Sequence, residues 1–236
     1  MIHQYLQEIH AILDQVERTQ LSAMEQAARL IADATRKGKR VYAFGCNHGG
    51  LLAMELYYRT GGLANVQLMR FPGLCLDLVP ATLTSRFEGL PGYGQLLVDA
   101  YPMDPGDVVV FHSVSGKNAV VIDAALAVKA RSATLIALTN VTLSSRSRPC
   151  HESGKRLYQI ADVVIDNCGG ESDALLTVPG CQQKVAPAST AVGAAVLNAV
   201  VAQTAQLLAN EGYTPPILAS CNAEGGAEYN QKLLQK

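Results

Sequence analysis

The sequence predicts an α/β protein in which a parallel five-stranded sheet carries helices on both faces. Three observations favour this fold. The chain of 236 residues suits one large α/β domain, short apolar or β-branched runs recur along it, and helical stretches separate most of these runs. Alternation of short apolar strands with helices is typical of a parallel sheet that helices cover on both sides.

The predicted elements follow one another at regular intervals. Strands are predicted at residues 40–44, 66–69, 108–111, 134–138 and 163–166. Helical stretches lie near residues 50–60, 94–101, 118–131 and 153–161. Because ligands of such sheets bind beyond the carboxyl ends of the strands, the loops after these strands are where we expect a site.

Two amphipathic helices are predicted before the first strand, within residues 1–37. Apolar residues recur there at helical spacing in two groups, first Ile2, Tyr5, Leu6, Ile9, Ile12 and Val16, then Leu21, Met24, Ala28 and Ile31. Neither helix can form a core alone, so we expect both to pack on the main domain or on a partner subunit.

A long apolar helix is predicted near the other end of the chain, at about residues 189–210. Polar residues inside it, such as Asn198 and Gln203, indicate a buried helix and not a membrane span. Because no repeat, charge block or linker is present, we expect a single domain over residues 1–236. It would consist of a helical extension (1–37), an α-β-α core (38–211) and a loop-rich tail (212–236).

Composition restricts the partners and the compartment. The net charge of −1 gives no electrostatic reason to expect nucleic acid or an anionic membrane surface as a partner. Only 17% of residues are charged, which suggests that some surface is buried against other copies of the chain. The six cysteines show no CxxC pair or zinc spacing, and the start of the chain lacks the pattern of a signal peptide. We therefore expect a cytoplasmic protein with reduced thiols, without a metal or an organic cofactor.

The loop after the third predicted strand is the most informative stretch. Residues 113–118 read SVSGKN and lead into a predicted helix. Free N–H groups and the positive dipole end of a helix, beside two short hydroxyls, suit a phosphate. The spacing is not that of Walker A. This difference favours a phosphate monoester on a small molecule as the ligand. We assign Ser113, Ser115, Gly116 and Asn118 to phosphate binding; the alternative is an ordinary capped turn.

The loop after the first predicted strand is glycine-rich. Residues 45–50 read GCNHGG, a strand-to-helix turn that allows a ligand to approach the backbone closely. A dinucleotide fingerprint would need an acid after the second strand, where Arg70 stands instead. We assign Gly45 and Asn47 to contacts with a sugar.

Further polar candidates lie in the second half of the chain. Ser189 and Thr190, at the start of the last long helix, are assigned to phosphate binding, with a simple N-cap as the alternative. Lys184, shortly before them, is assigned to the sugar. His151 could reach the site or cap a helix.

Three residues are candidates for proton transfer. Glu55 lies two turns into the helix after the first loop, and the alternative for it is a surface ion pair with Arg59 four residues on. Glu88 lies in a predicted loop above the sheet, with a solvated carboxylate as the alternative. His48 lies in the first loop and could shuttle a proton. His112 ends a buried strand and is predicted to be packed and hydrogen-bonded.

Residues 40–200 resemble the SIS, or sugar isomerase, domain family. The motifs that carry the resemblance are GCNHG at 45–49, SVSGKN at 113–118 and PAST at 187–190. Nearly the whole chain is similar to a bacterial subgroup whose members are called sugar isomerase domain proteins or are likened to phosphoheptose isomerases. The resemblance implies a flavodoxin-like α-β-α sandwich, phosphosugar binding, and dimers or tetramers with sites near subunit interfaces.

The departures from the family concern catalysis. The resemblance places the catalytic glutamate of phosphoheptose isomerases at about Arg59 and their catalytic histidine near Leu197, and neither side chain here can transfer a proton. The etherases that act on N-acetylmuramic acid 6-phosphate also have an acid near Arg59. Their second glutamate, in a Glu-Gly pair, is similar to Glu88.

We therefore expect a homodimer or homotetramer that binds a small sugar phosphate. The simplest activity is isomerisation of an aldose, ketose or amino-sugar phosphate, with a carboxylate as general base. A phosphosugar lyase or etherase, a deaminase and a non-catalytic phosphosugar sensor are the alternatives.

Overall fold

Five parallel strands form the centre of the computed structural model, which describes residues 1–235. They are β1 (Val41–Gly45), β2 (Val66–Leu68), β3 (Val108–His112), β4 (Thr134–Thr139) and β5 (Val163–Asp166). The strand order is β2-β1-β3-β4-β5, which is the flavodoxin-like order. All residues of β1 and β3 are buried, as expected for central parallel strands covered on both faces. The predicted five-stranded parallel sheet is confirmed.

Helices cover both faces of the sheet. They are α1 (Ile2–Arg36), α2 (His48–Leu56), α3 (Thr82–Glu88), α4 (Tyr93–Asp99), α5 (Ala119–Ala130), α6 (Val141–Arg146), α7 (Ser189–Asn210) and α8 (Gly226–Leu234). One apolar core lies between the sheet and α1, α2 and α7. The other lies between the sheet and α4 and α5. Successive residues of each strand point alternately into these two cores, which gives the three-layer sandwich.

The prediction of two separate N-terminal helices is wrong, because α1 is one continuous helix of 35 residues. Residues 17–20 contain neither glycine nor proline, so nothing ends the helix where the two apolar groups meet. The second half of α1 buries Ala27, Ala28 and Ile31.

Two other local predictions differ from the structure, and one element is unexpected. The helix predicted at 153–161 is only a 3-10 turn at Leu157–Gln159, since Gly154 has a φ of +66° that no helix accommodates. A short hairpin of β6 (Ala174–Leu176) and β7 (Val185–Pro187) was not expected. The tail contains α8, anchored by the buried Asn230, whose side chain exchanges hydrogen bonds with the backbone of Ala219.

Helix α7 is the one helix in the described chain with the length and apolarity to span a bilayer. It packs instead against the sheet layer, where Val192, Val196 and Leu197 are buried. Gly193 lies so close to the side chain of Leu52 in α2 that a Cβ atom there would overlap it. This packing is that of a core helix. The single-domain division stays a prediction, and Lys236 at its end lies outside the described residues.

Candidate functional site

The first two glycine- and serine-rich loops meet at the carboxyl edge of the sheet. Gly45, the last residue of β1, is in register with His112, the last residue of β3. The chain then leaves β1 toward α2 on one face and leaves β3 toward α5 on the other. A crevice opens in parallel sheets where two such connections diverge. We call this place, between loops 45–50 and 113–118, the switch crevice.

Loop 113–118 is held in shape by its neighbours. The N–H of Gly116 donates to Oγ of Ser113 (3.2 Å), and Thr139 Oγ1 donates to the carbonyl oxygen of Ser113 (2.7 Å). Gly116 has a φ of +54°, and its carbonyl accepts from the N–H of Leu157 (2.8 Å). The Ser113 hydroxyl accepts one bond and keeps its own hydrogen for another acceptor.

Several N–H and O–H groups of this loop donate no hydrogen bond to another group of the described chain. Within residues 1–235 the backbone N–H groups of Ser115, Lys117 and Asn118 donate no hydrogen bond, and neither does the Ser115 hydroxyl. Ser115 is half-buried. These groups lie at the start of the 12-residue helix α5, whose dipole is positive there. The arrangement can bind an oxyanion without a metal ion.

Glu88 lies in the switch crevice, beside loop 113–118. Its Oε2 accepts a hydrogen bond from Asn118 Nδ2 (2.8 Å), and the Asn47 side chain lies close to the same carboxylate. Burial raises the pKa of Glu88, and the amide side chains of Asn47 and Asn118 oppose that rise. The loop predicted at Glu88 is wrong, because this residue is the last of α3, and its half-buried side chain differs from the solvated carboxylate that was the alternative.

Glu55 is in a different environment. It forms an ion pair with Arg59, and its Oε1 accepts from Asn198 Nδ2 in α7 (2.8 Å). Glu55 lies seven positions after His48, the first residue of α2, which corresponds to about 10 Å along the helix axis. The structure therefore shows the ion pair that was the alternative for this residue and places Glu55 in the α2–α7 contact, away from Glu88.

The first loop is tight. A Cβ atom on Gly45 would overlap the backbone of Gly49, and one on Gly49 would come within 2.6 Å of the His112 carbonyl oxygen. Asn47, which precedes α2, has a φ of +51° and points its amide toward Glu88. His48 is exposed. Gly45 and Asn47 thus border the switch crevice, and His48 lies at its rim.

The start of α7 is occupied by an acid of the chain itself. The amide N–H of Ser189 donates to Asp173 Oδ1 (2.8 Å) and its hydroxyl donates to Asp173 Oδ2 (2.9 Å). Ser189 is only 4% exposed. A phosphate at Ser189 would have to displace this carboxylate, so the structure does not support the phosphate role predicted for Ser189. Thr190 is half-buried and Lys184 lies exposed between β6 and β7; their roles stay predictions.

His112 is buried, as predicted, but neither ring nitrogen makes a hydrogen bond of good geometry within the described chain. The backbone of Gly49 is the polar group beside the ring. Burial lowers the pKa of His112 to about 4, so the ring is neutral at physiological pH. The prediction that His112 is packed is confirmed, and the prediction that its ring is hydrogen-bonded is wrong.

Two acids in this region were missed by sequence reasoning. Asp173 precedes β6 with no recognisable motif around it. Asp123 is the only acidic residue of α5 and lies in an otherwise apolar turn, which is a signal that sequence reasoning could have used. Residues 1–235 contain no group of three or more His, Cys, Asp or Glu side chains that could hold a metal ion.

Comparison with known proteins gives consistent matches. The family model described as SIS domain matches residues 4–140. A UPF0309 protein of Shouchella clausii is 39% identical over 235 residues, which cover 100% of this chain and 96% of that protein.

Solved structures share the fold at low sequence identity. A phosphoheptose isomerase from Neisseria gonorrhoeae aligns with a TM-score of 0.55 and 19% identity, over 88% of this chain and 97% of that one. A phosphoheptose isomerase from Francisella tularensis aligns with a TM-score of 0.56 and 17% identity, over 87% of this chain and 96% of that one.

Proposed function

We propose that this chain, which belongs to the SIS domain family, binds a sugar phosphate in the switch crevice. The observation that carries the proposal is the set of unused donors at the start of α5, the N–H groups of Ser115, Lys117 and Asn118 with the Ser115 hydroxyl. The phosphate lies there, and the sugar extends toward Glu88, whose carboxylate contacts Asn118. The two phosphoheptose isomerases that share the fold have a sugar phosphate in their names, which supports this ligand class.

The finer proposal is that Glu88 is the general base of an aldose–ketose or amino-sugar phosphate isomerase. Its carboxylate removes the proton from C2 of the opened aldose while the aldehyde oxygen O1 takes up a proton, which gives the enediol. The same carboxyl then returns its proton to C1 while the O2 hydroxyl releases a proton, which gives the ketose and balances the proton gained at O1. A raised pKa makes a carboxylate a stronger base, and burial supplies that rise at Glu88. His48, exposed at the rim, assists at the sugar hydroxyls. Glu55, paired with Arg59 in the α2–α7 contact, is the weaker candidate.

Binding without turnover is the second candidate function, and a specific observation favours it. Leu197, near the position of the family's catalytic histidine, is a core residue with 3% exposure. Arg59, at about the position of the catalytic glutamate, is paired with Glu55. A chain with these two residues could retain the phosphate site and act as a sensor.

Cytoplasmic location and assembly into a homodimer or homotetramer belong to the same proposal. The six cysteines are all free, although only Cys46 is buried, which suits a reducing compartment.

The binding proposal is tested first by a thermal-shift screen against hexose, pentose, heptose and amino-sugar phosphates, because a ligand of the native state raises the melting temperature. For the best ligand, Ser115→Ala should weaken binding by about 1–3 kcal/mol, the contribution of a hydrogen bond to a charged group. Calorimetry measures the change, and Ser22→Ala on the exposed surface of α1 is the control. Equal affinity of wild type and Ser115→Ala would remove this loop from the site.

Glu88→Gln separates the isomerase from the sensor. Gln keeps the size of the side chain and can still accept from Asn118, so binding should survive while proton transfer is lost. Proton NMR of the bound sugar phosphate in deuterium oxide reports exchange at C2. Exchange in wild type and not in Glu88→Gln supports the isomerase, whereas no exchange in wild type supports the sensor. Exchange that persists in the variant would exclude Glu88 as the base.

A further inference from the structure

A buried polar network lies beside the switch crevice and plays no part in the function proposed above. Asp123 Oδ1 bonds to His151 Nε2 (2.9 Å), and Asp123 Oδ2 accepts from the N–H of Gly92 (2.6 Å). The other ring nitrogen of His151 bonds to the Ser153 hydroxyl (2.8 Å) and accepts from the Ser153 N–H (3.1 Å). The side chains of His151 and Asp123 are only 8% and 11% exposed.

This network joins three segments that surround the site. Asp123 lies on α5, the helix that follows loop 113–118. Gly92 lies four residues after Glu88. His151 lies in segment 147–157, which itself supports the loop, since the N–H of Cys150 donates to the Lys117 carbonyl (3.2 Å) and that of Leu157 donates to the Gly116 carbonyl (2.8 Å).

The hydrogen-bond chemistry fixes the direction of the network. A backbone N–H can only donate, so Nδ1 of His151 must accept from Ser153. In the neutral ring, Nε2 then carries the hydrogen and donates to the Asp123 carboxylate. The imidazole is therefore a bridge that needs both nitrogens, one for the local turn and one for the distant carboxylate.

We propose that His151 and Asp123 are positioning residues that hold the Glu88 segment and loop 113–118 in register with each other. This inference rests on the proposed sugar-phosphate site and assigns a new role to two residues that do not touch the ligand. The loop can bind a phosphate group only while its donors are held in place, and segment 147–157, which His151 and Asp123 join to the Gly92 turn, holds them through the Lys117 and Gly116 carbonyls. Within residues 1–235, Asp123 and His151 supply the only side-chain hydrogen bonds that connect segment 147–157 with the Gly92 turn.

Two substitutions of His151 separate this role from that of a local turn. Asn places a polar atom where Nδ1 stands and can keep the turn at Ser153, but it is too short for Asp123. Gln places a polar atom where Nε2 stands, so it can reach Asp123 but loses the hydrogen bonds to Ser153. Asp107→Asn is the control, since Asp107 is a buried carboxylate that accepts the backbone N–H groups of Arg40 and Asp104 at the amino ends of the strands, away from the crevice.

The experiment measures binding of inorganic phosphate by calorimetry and hydrogen exchange at the amides of Cys150 and Leu157. We expect His151→Asn to weaken phosphate binding about tenfold and to speed exchange at both amides by a similar factor. His151→Gln and Asp107→Asn should stay within twofold of wild type. The reverse order, with Gln impaired and Asn normal, would show a local turn and overturn the proposal, as would unchanged exchange or unchanged binding in His151→Asn. If wild type binds neither inorganic phosphate nor any sugar phosphate of the thermal-shift screen, the function proposed above fails, and the exchange measurement alone decides the positioning role.

Discussion

Asn118 illustrates how a single residue connects the two parts of the site. It occupies the N-cap position of α5, where an Asn side chain usually accepts a hydrogen bond from the N–H groups of its own helix. Here the side chain makes no such bond and donates to Glu88 instead. The N–H groups of the helix start consequently stay available for an anion. The same residue also holds the carboxylate that we propose as the base.

His112 is the residue whose ionisation should be visible in the stability of the whole protein. In the folded chain its pKa lies near 4, and in the unfolded chain near 6.5. As the pH falls through this window, His112 takes up a proton in the unfolded state but not in the folded state. The free energy of unfolding that is present above pH 6.5 is therefore lost toward pH 4. Relative to His112→Leu, wild type should lose about 3 kcal/mol of unfolding free energy between pH 7 and pH 4.

Urea denaturation at several pH values measures this difference. His3→Leu, at an exposed position of α1, is the matched control. Parallel pH profiles of wild type and His112→Leu would contradict the assignment of a buried, neutral ring.

At the level of elements, the contact between α4 and α5 positions the segment that follows Glu88. Gly94 of α4 lies directly on α5, and a Cβ atom there would overlap the Val120 carbonyl oxygen and come within 2.6 Å of the Ala124 nitrogen. Both are backbone atoms of a regular helix and cannot move independently. The close approach of the two helices therefore depends on glycine at this position.

Gly94→Ala should force α4 away from α5 and destabilise the protein by about 3 kcal/mol, at the upper end of the usual cost of overpacking. Thermal or urea unfolding measures the loss. Gly89→Ala is a suitable control, because Gly89 has a φ of −86° and its Cβ atom would meet nothing closer than 3.4 Å. Equal stability of the two variants would show that the helices can separate without cost.

At the level of the whole molecule, the outer face of α2 is unusually apolar. Leu51, Met54, Tyr57 and Tyr58 are 40–52% exposed and follow one another along one side of the helix and its end. Single exposed apolar residues are common in proteins, but a contiguous group usually marks an interface. We expect this face to be buried between copies of the chain.

Met54→Glu places a charge in the middle of that face and should convert the oligomer into a monomer. Light scattering after size exclusion gives the mass directly. Leu96→Glu, at a 56% exposed position of α4 on the other side of the sheet, should leave the mass unchanged. A monomeric wild type, or an oligomer that survives Met54→Glu, would contradict the interface.

The sheet could be predicted from the sequence because its strands are short apolar runs with glycine- or serine-rich loops behind them. Loop 113–118 could be predicted because it is one of these loops. The length of α1 could not be predicted, since a polar turn inside a long helix looks the same in a sequence as a break between two helices. The hairpin was missed because three-residue strands give too weak a pattern.

The parts of the site that depend on tertiary contacts could not be predicted as well from the sequence. The pairing of Glu88 with Asn118 joins residues 30 apart, and no local spacing reveals it. Glu55 had the i,i+4 partner that sequence does reveal, and the ion pair with Arg59 is what the structure shows. The buried bond from Ser189 to Asp173 could not be foreseen either, because any serine at a helix start looks free in a sequence.

Asp173 has a consequence for which molecules the crevice can accept. Its carboxylate occupies the donors at the start of α7, whereas the backbone donors before α5 stay unused within residues 1–235. In the proposed binding mode the phosphate lies at the start of α5, and the sugar extends toward the carboxylate of Glu88. A sugar carrying phosphates at both ends would bring like charges together, and the crevice should reject it in favour of the monoester.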